Sequence, residues 1–341
     1  MLKDVCSSER PFGGITVLFG GDFQQTLPIV TKGTRPDIVH ATIQRSPVWN
    51  DIHVLHLHEN MHVQRHPDSL PFSQWLLDIG HGKSDGISFS VTHIPDSMLS
   101  QSENDLIESV YSSMTNKNPL PSPDYFRQRA ILTTQNKQVH DLNYSILDRL
   151  PSIEQLYSSA DSYSMDCPTL QETSNIPVEF LHSLNVSGLP IAQLRLKVGC
   201  PVILLRNIDA RRGLCNGTRG TIVSMGHHLL EIRLIGGDHD GETTLIPRIT
   251  LSPSLTGLDF SIQLNCRQFP IQLAFALTIH KSQGQTLQQI GVNLQKPVFT
   301  HGQLYVALSR ATSPDNIKIL LPESSHSKDS DNVVYQEVLL D

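Results

Sequence analysis

Short apolar runs ending in glycine alternate along this chain with stretches of helical spacing. Residues 14–21, GITVLFGG, predict a buried strand feeding a loop at its carboxyl end. His53–Leu57 predicts another strand. Phe72, Trp75, Leu76 and Ile79 share one helical face, and the Gly-rich stretch after them stops the helix. From about Pro95 to Pro123 the chain is polar, with one helical patch at Leu106–Tyr111 and a Pro-rich end, as in a connector. Ala130–Leu132 starts a new strand. Val139, Leu142, Ile146 and Leu150 then recur at helix spacing until Pro151 ends the helix. Strand followed by helix opens a second α/β unit.

Residues 151–177 are acidic and Ser-rich and read as a loop. Between Leu194 and Leu251 the pattern changes to short alternating runs with glycine turns, the signature of a small β-barrel. Strand and helix resume at Leu273–Ile279, Thr286–Ile290, Ile290–Leu294, Thr300–Ala311 and Asn316–Leu320. The barrel is therefore expected as an insert within the second α/β unit.

Composition narrows the class. With 341 residues, 38% hydrophobic and 17% charged, the chain has room for two or three domains and is not of disordered type. No apolar run approaches a membrane span. The five cysteines are scattered without a C-x-x-C pair, which supports neither a disulfide framework nor a zinc knuckle and fits a reducing compartment. Net charge is −7, so any nucleic-acid contact needs a local basic patch. One stretch qualifies. Arg195, Lys197, Arg206, Arg211, Arg212 and Arg219 face only Asp209, a local charge of +5. Such a patch can neutralise phosphates. It can equally be the wet face of a barrel.

Three segments carry candidate chemistry. In Gly21–Pro28, Asp22 and Gln25 stand on a loop after the first strand, where a carboxylate and an amide can sense a phosphate and orient a water. The plain alternative is a polar loop. In Thr278–Thr286, the segment TIHKSQGQT follows an apolar strand and reads as the opening of a helix. Lys281, Ser282, Gln283, Gly284 and Thr286 then suit a phosphate of nucleotide or DNA. In Thr300–Arg310, Thr300 and Gln303 fit a capping box, and Arg310 stands near the helix end. An arginine delivered to a γ-phosphate accelerates hydrolysis by about 10³–10⁵. A solvated arginine near a helix C-terminus is the plain alternative. The histidines His53, His56, His58, His62 and His66 lack metal-site spacing, so no metal site is expected.

The ordered blocks GGDFQQTLP, ENMHVQ, LRLKVGCPVILLRN, GLCNGTRG, ALTIHKSQGQT and YVALSRAT resemble the petite-integration-frequency (PIF) helicases of the RecD-like branch of superfamily 1, most of all those of Helitron transposons. The resemblance runs from Arg10 to about Leu321. It implies two RecA-like α/β P-loop NTPase halves, the first truncated, with an inserted SH3-like β-barrel. The implied boundaries are 1–66 for the first half, 67–126 for a helical connector, 127–177 and 262–341 for the second half, and 178–261 for the barrel. It implies ATP and Mg²⁺ as cofactors, single-stranded DNA as partner, 5′-to-3′ movement and a nuclear location, with mitochondria as a second family address. Gln25 is implied as the sensor glutamine, with Asp22 and Gly284 beside the nucleotide and Arg310 on the γ-phosphate. Lys281, Ser282, Gln283 and Thr286 are implied at the DNA, together with Arg206, Arg211, Arg212 and Arg219 of the insert.

Two departures temper this. No G-x-x-x-x-G-K-[ST] loop occurs, and Gly82-Lys83-Ser84 has Leu77 where its first glycine belongs. The Walker B acidic pair is absent too. His62 stands where ENMxxQ usually carries an arginine, and whether Arg65 replaces it is open. The chain is thus expected to be the carboxyl-terminal portion of a helicase that does not turn over ATP alone. The alternatives are a non-catalytic single-strand-binding remnant, or a subunit lending Arg310 to another ATPase.

Overall fold

The computed structural model describes residues 2–65, 67–83, 90–115, 122–165, 189–252, 262–323 and 328–339. The chain divides into two compact units. One comprises Met1–Gln101, Ser282–Thr286 and Val292–Asp341, the other Ser102–Lys281 and Leu287–Gly291.

The second of these is built on a parallel strand pair, Arg129–Thr133 beside Ala276–Thr278, with Ile131 opposite Ala276 and Thr133 opposite Thr278. Both strands are buried, as apolar runs in parallel sheets are. The helix Asn136–Arg149 covers them with Val139, Leu142, Ile146 and Leu147. In its middle sits a buried amide, Asn143. It donates to the carbonyls of Leu273 and Ala276 at 3.2 and 3.0 Å and accepts from the Ala276 N–H at 2.8 Å. A fully satisfied buried amide fixes the helix register on the strand. The helix Glu103–Thr115 buries Leu106, Ile107 and Val110, and its Tyr111 hydroxyl donates to the Phe275 carbonyl at 2.6 Å.

Apart from the short helix Pro123–Arg127 and 3₁₀ turns, the other described elements of this unit are strands. Five antiparallel strands run in the order Ile271–Leu273, Pro201–Leu204, Arg219–Met225, Leu229–Ile235, Thr243–Pro247. Leu230, Ile232 and Leu234 are buried while Leu229 before them and Arg233 between them are exposed, the alternation that the sequence shows. A second sheet joins Ile249–Leu251, Ile262–Gln268 and Ala160–Met165. A strand pair links Glu154–Ser158 to Gln193–Lys197. The stretch 151–177, read as loop, thus holds two strands up to Met165, and residues 166–177 lie outside the described ones. Its polar composition concealed them because only Tyr157 of Glu154–Ser158 is buried.

In the other unit the helix Leu70–His81 buries Phe72, Ile79 and Gly80 and ends on Gly82, whose φ of 67° is left-handed. Gly82 is therefore the left-handed cap of this helix, and Ser84 of Gly82-Lys83-Ser84 lies outside the described residues. The short helix Gln303–Leu308 is nearly encased, with Leu304, Val306, Ala307 and Leu308 fully buried. Val91–His93 pairs antiparallel with Asp329–Asp331. Val39, Tyr335 and Val338 form a small core with Leu27, Ile38, Val333 and Leu339 packed against it.

Two expected strands are not found. Residues 15–19 and 53–57 carry no strand pairing. Their apolar side chains are open to solvent, Leu18 at 92% and Leu57 at 100%. Apolar alternation marks a segment able to pair; pairing needs a neighbouring strand, and none among the described residues supplies one.

Candidate functional site

The loop Gly21–Pro28 is held in place from several sides within its own unit. Asp22 organises it, its Oδ1 accepting the Gln24 N–H at 2.9 Å. Its other oxygen accepts the Tyr305 hydroxyl at 3.2 Å and the Gln25 amide at 3.4 Å. Burial and the neighbouring Asp22 carboxylate push the Tyr305 phenol well above its usual range, so it stays a donor. Gln283 closes the opposite side. Its Nε2 donates to Gln25 Oε1 at 2.9 Å, and its Oε1 accepts the Thr26 hydroxyl at 3.1 Å. Sequence blocks more than 250 residues apart thus meet in one hydrogen-bonded cluster.

Behind the loop lies His301, with no exposed surface. Its Nδ1 accepts the Tyr335 N–H at 2.8 Å, which leaves the proton on Nε2 to donate to the Phe23 carbonyl at 2.7 Å. Burial lowers the pKa of this ring and keeps it neutral. Next to it, Gly302 adopts φ 68°, and a Cβ there would stand 2.2 Å from the Gln24 carbonyl oxygen. Only glycine permits that approach. Gly80 makes a similar allowance, since a Cβ would come within 2.9 Å of the Gln24 amide. His81 Nδ1 donates to the Leu77 carbonyl at 2.8 Å, so its Nε2 accepts from Gln24 Nε2 at 3.1 Å.

Arg310 differs from expectation. It is 8% exposed. Its Nε donates to the Val306 carbonyl at 2.9 Å, Nη1 to the Gln285 carbonyl at 3.1 Å and Nη2 to Ser309 Oγ at 2.9 Å. Desolvation lowers its pKa while Tyr305 and Asp22 act in the opposite sense. Gln25 and Arg310 are therefore fastened to the same loop, one to the Gln283 side chain and the other to the Gln285 backbone. The guanidinium is not extended toward a phosphate.

The segment TIHKSQGQT also departs from its reading. It forms a single 3₁₀ turn, Ile279–Ser282, and opens no α-helix. Gly284 at φ 79° turns the chain away. Ser282 is fully buried, whereas Gln283, Gly284 and Thr286 are exposed. Lys281 is half-buried, and desolvation lowers its pKa. The capping box of Thr300 and Gln303 is absent. Gly302 is the N-cap, and Gln303 Oε1 instead accepts the Phe299 N–H at 3.0 Å.

The basic run shrinks in the structure. Arg219 is buried and donates to the carbonyls of Phe126, Arg129 and Ala274 at 3.0–3.2 Å, so it cannot touch DNA. Burial lowers its pKa. Lys197 is buried on the Leu150 carbonyl, and Arg195 is paired with Glu154 and Asp148. Arg211 and Arg212 remain exposed on a turn that Asp209 caps, and Arg206 is half-exposed. A backbone turn, not alternation along a strand, presents the two useful arginines. The side chains of His62 and Arg65 lie outside the described residues.

A nucleotide with its magnesium does not fit this arrangement. Asp22 is the carboxylate of the loop and is already shared among three donors, Arg310 is tied to backbone carbonyls, and Gln25 is paired at its oxygen. Among the described residues no three His, Cys, Asp or Glu gather as a metal site. Nor is any described helix long and apolar enough to cross a membrane. Sequence reasoning missed Tyr305, His301, Gly302 and Gly80. The H-G-x-x-Y spacing of 301–305 was the available signal, since it sets an imidazole and a phenol about one helical turn apart.

Comparison with known proteins adds an outside measure. The PIF1-like helicase model matches residues 1–88, and that of the DNA helicase Pif1 2B domain matches residues 179–225. An ATP-dependent DNA helicase PIF1 of Danio rerio is 31% identical over 322 residues, covering 93% of this chain and 42% of that protein. The Homo sapiens protein of the same name is 30% identical over 333 residues, with the same coverages of 93% and 42%. The chain thus spans about two fifths of the length of these relatives. The crystal structure of Pif1 helicase from Bacteroides in complex with ADP-AlF3 and ssDNA superposes with a TM-score of 0.62 at 24% identity, over 97% of this chain and 72% of that one. That likeness carries the RecA-like α/β fold.

Proposed function

Because the chain belongs to the PIF1-like helicases, we propose that it is the carboxyl-terminal part of an ATP-dependent DNA helicase that moves 5′ to 3′ on single strands. The observation that supports this most is the cluster of Asp22, Gln25, Gln283 and Tyr305. It joins the three blocks through which such a motor would relay nucleotide state to DNA. In this reading the roles of Gln25 and Arg310 belong to the intact motor, and in the isolated chain both keep the partners described above. Residues 178–261 are the SH3-like insert in this reading, and Arg206, Arg211 and Arg212 grip the strand from it. We place the protein in the nucleus with its DNA.

The isolated 341-residue chain is proposed to hold a strand without hydrolysing ATP, since it contains no phosphate loop. The test is ATP turnover with magnesium and single-stranded DNA, which we expect at background. A DNA-dependent signal abolished by Arg310→Ala would overturn the proposal. Strand binding should weaken as salt rises. Replacing Arg211 and Arg212 together by Gln should flatten the salt dependence by about 1.4 in log–log slope, two contacts at about 0.7 each. Unchanged affinity in that double variant would remove the patch from the reading.

One observation favours a second reading, a non-catalytic single-strand-binding remnant of a Helitron-type helicase. Arg310 donates from all three of its nitrogens within the chain, as a structural residue would. Joining the chain to a polypeptide bearing a phosphate loop and finding no turnover would favour this second reading.

A further inference from the structure

One cleft in the strand-rich unit belongs to none of the segments discussed so far. It encloses about 450 Å³ and is lined by Ala160, His227, His228, Arg248 and Arg267. Strand register explains the grouping. Arg267 lies opposite Ala160 on one side and Thr250 on the other, so the three share a face. Arg248, two residues before Thr250, continues that face. Asp161 is opposite Cys266 and so belongs to the other face, which leaves no carboxylate among the described lining residues. The small Ala160 side chain leaves the floor open. The turn with His227 and His228 is drawn to the rim by the Arg248 N–H, which donates to the His228 carbonyl at 3.4 Å.

Arg248 is aimed, not merely present. Its Nη1 donates to the Ser158 carbonyl at 2.9 Å, and its guanidinium lies 5.0 Å from the Phe269 ring and 5.4 Å from the Tyr157 ring. These contacts fix the plane of the fork. Its Nε is buried and has no hydrogen-bond partner among the described residues. A buried donor without an acceptor is costly, and an acceptor entering the cleft removes that cost. Arg267 is exposed across the same cleft. Two guanidinium groups around one concavity without a lining acid repel each other until an anion enters.

We propose that this cleft is a phosphate-binding site in which Arg248 and Arg267 hold one phosphate group, supplied either by a nucleic-acid strand or by a free phosphate compound. Paired arginines match phosphate oxygens geometrically. The histidine turn supplies ring N–H donors at the rim. Neither arginine was among the strand-binding candidates. Where the phosphate belongs to a strand, the inference rests on the strand-binding reading above.

The test uses the full chain and two probes, a labelled oligothymidylate followed by fluorescence anisotropy and pyrophosphate followed by calorimetry. Arg267→Gln changes an exposed side chain and should leave the strands paired. It is expected to weaken at least one probe threefold or more. Adding Arg248→Gln is expected to bring the loss to tenfold or more. If the double variant fails to fold, Arg267→Gln alone decides. Binding of both probes unchanged in Arg267→Gln overturns the site, and a parent chain that binds neither probe does so too. Strand binding sensitive to Arg211 and Arg212, with both strand and pyrophosphate binding indifferent to Arg267, removes the cleft and keeps the strand-binding reading. Arg267-dependent pyrophosphate binding without strand binding keeps the cleft and removes that reading.

Discussion

Residues 15–19 and 129–133 carry the same written signature, a short apolar run followed by a polar loop, and have opposite fates. Ala130, Ile131 and Leu132 are completely buried, and residues 131–133 pair in parallel with Ala276–Thr278. Ile15, Val17, Leu18 and Phe19 are 40–92% exposed and pair with nothing among the described residues. The two runs differ less in propensity than in company. Residues 129–133 have a neighbouring strand, a covering helix and the Phe275 ring, which meets Tyr111 and Phe126 edge-on at 5.9 and 5.6 Å. A strand is a relation between two segments, and a sequence writes only one of them at a time.

The largest test of this contrast is paired truncation. Phe275→Ala should cost about 3–5 kcal/mol, because it opens a cavity among packed rings. Leu18→Ala should stay within about 0.5 kcal/mol, as exposed substitutions do. Urea unfolding of both variants measures the difference, and equal losses would show that residues 15–19 are packed in solution. Amide hydrogen exchange gives the same comparison without mutation, with 129–133 protected and 15–19 exchanging freely.

Legibility followed the same division. The helices Leu70–His81 and Asn136–Arg149 were readable because each completes its own backbone hydrogen bonds and shows its buried face every third or fourth residue. The strands of 201–251 were readable because hairpin neighbours are adjacent in sequence. The loop at Asp22 and Gln25 was legible as a motif, and Gln283 as part of another. Their direct bond was not, since nothing local in either segment encodes the other. Arg219 and Arg310 misled for a related reason. An arginine in a one-dimensional charge count looks solvated, yet both satisfy backbone carbonyls inside the fold.

Smaller tests bear on the loop itself, which is hydrogen-bonded from several sides. Gly302→Ala should cost about 1–3 kcal/mol or more, from a left-handed backbone and a Cβ driven into the Gln24 carbonyl. A variant as stable as the parent would show that the loop does not press on Gly302. A double-mutant cycle of Gln25→Ala and Gln283→Ala should return a coupling of about 0.5–1.5 kcal/mol, and additivity would mean the two amides do not meet.

The least effect is in pH. His301 has a folded-state pKa depressed by burial, so its contribution to stability is complete above the unfolded value of about 6.5. It is lost as pH falls through the lowered folded value, when a second ring proton would displace the Tyr335 N–H. His140 and His280 are depressed by the same cause and act with the same sign. Melting temperature should therefore drop between about pH 7 and about pH 5. His301→Gln should shallow that drop without removing it, and an unaltered slope would exclude His301 from it.

Arg310 carries a mechanical corollary. Its charge is kept from water while its Nη1 stays on the Gln285 backbone. Any pull that shifts Gln285 by more than the reach of a hydrogen bond takes one acceptor from a sheltered cation and leaves it Val306 and Ser309 beside the helix Gln303–Leu308. Displacement of the Gln285 backbone and loosening of the Arg310 guanidinium are thus a single event.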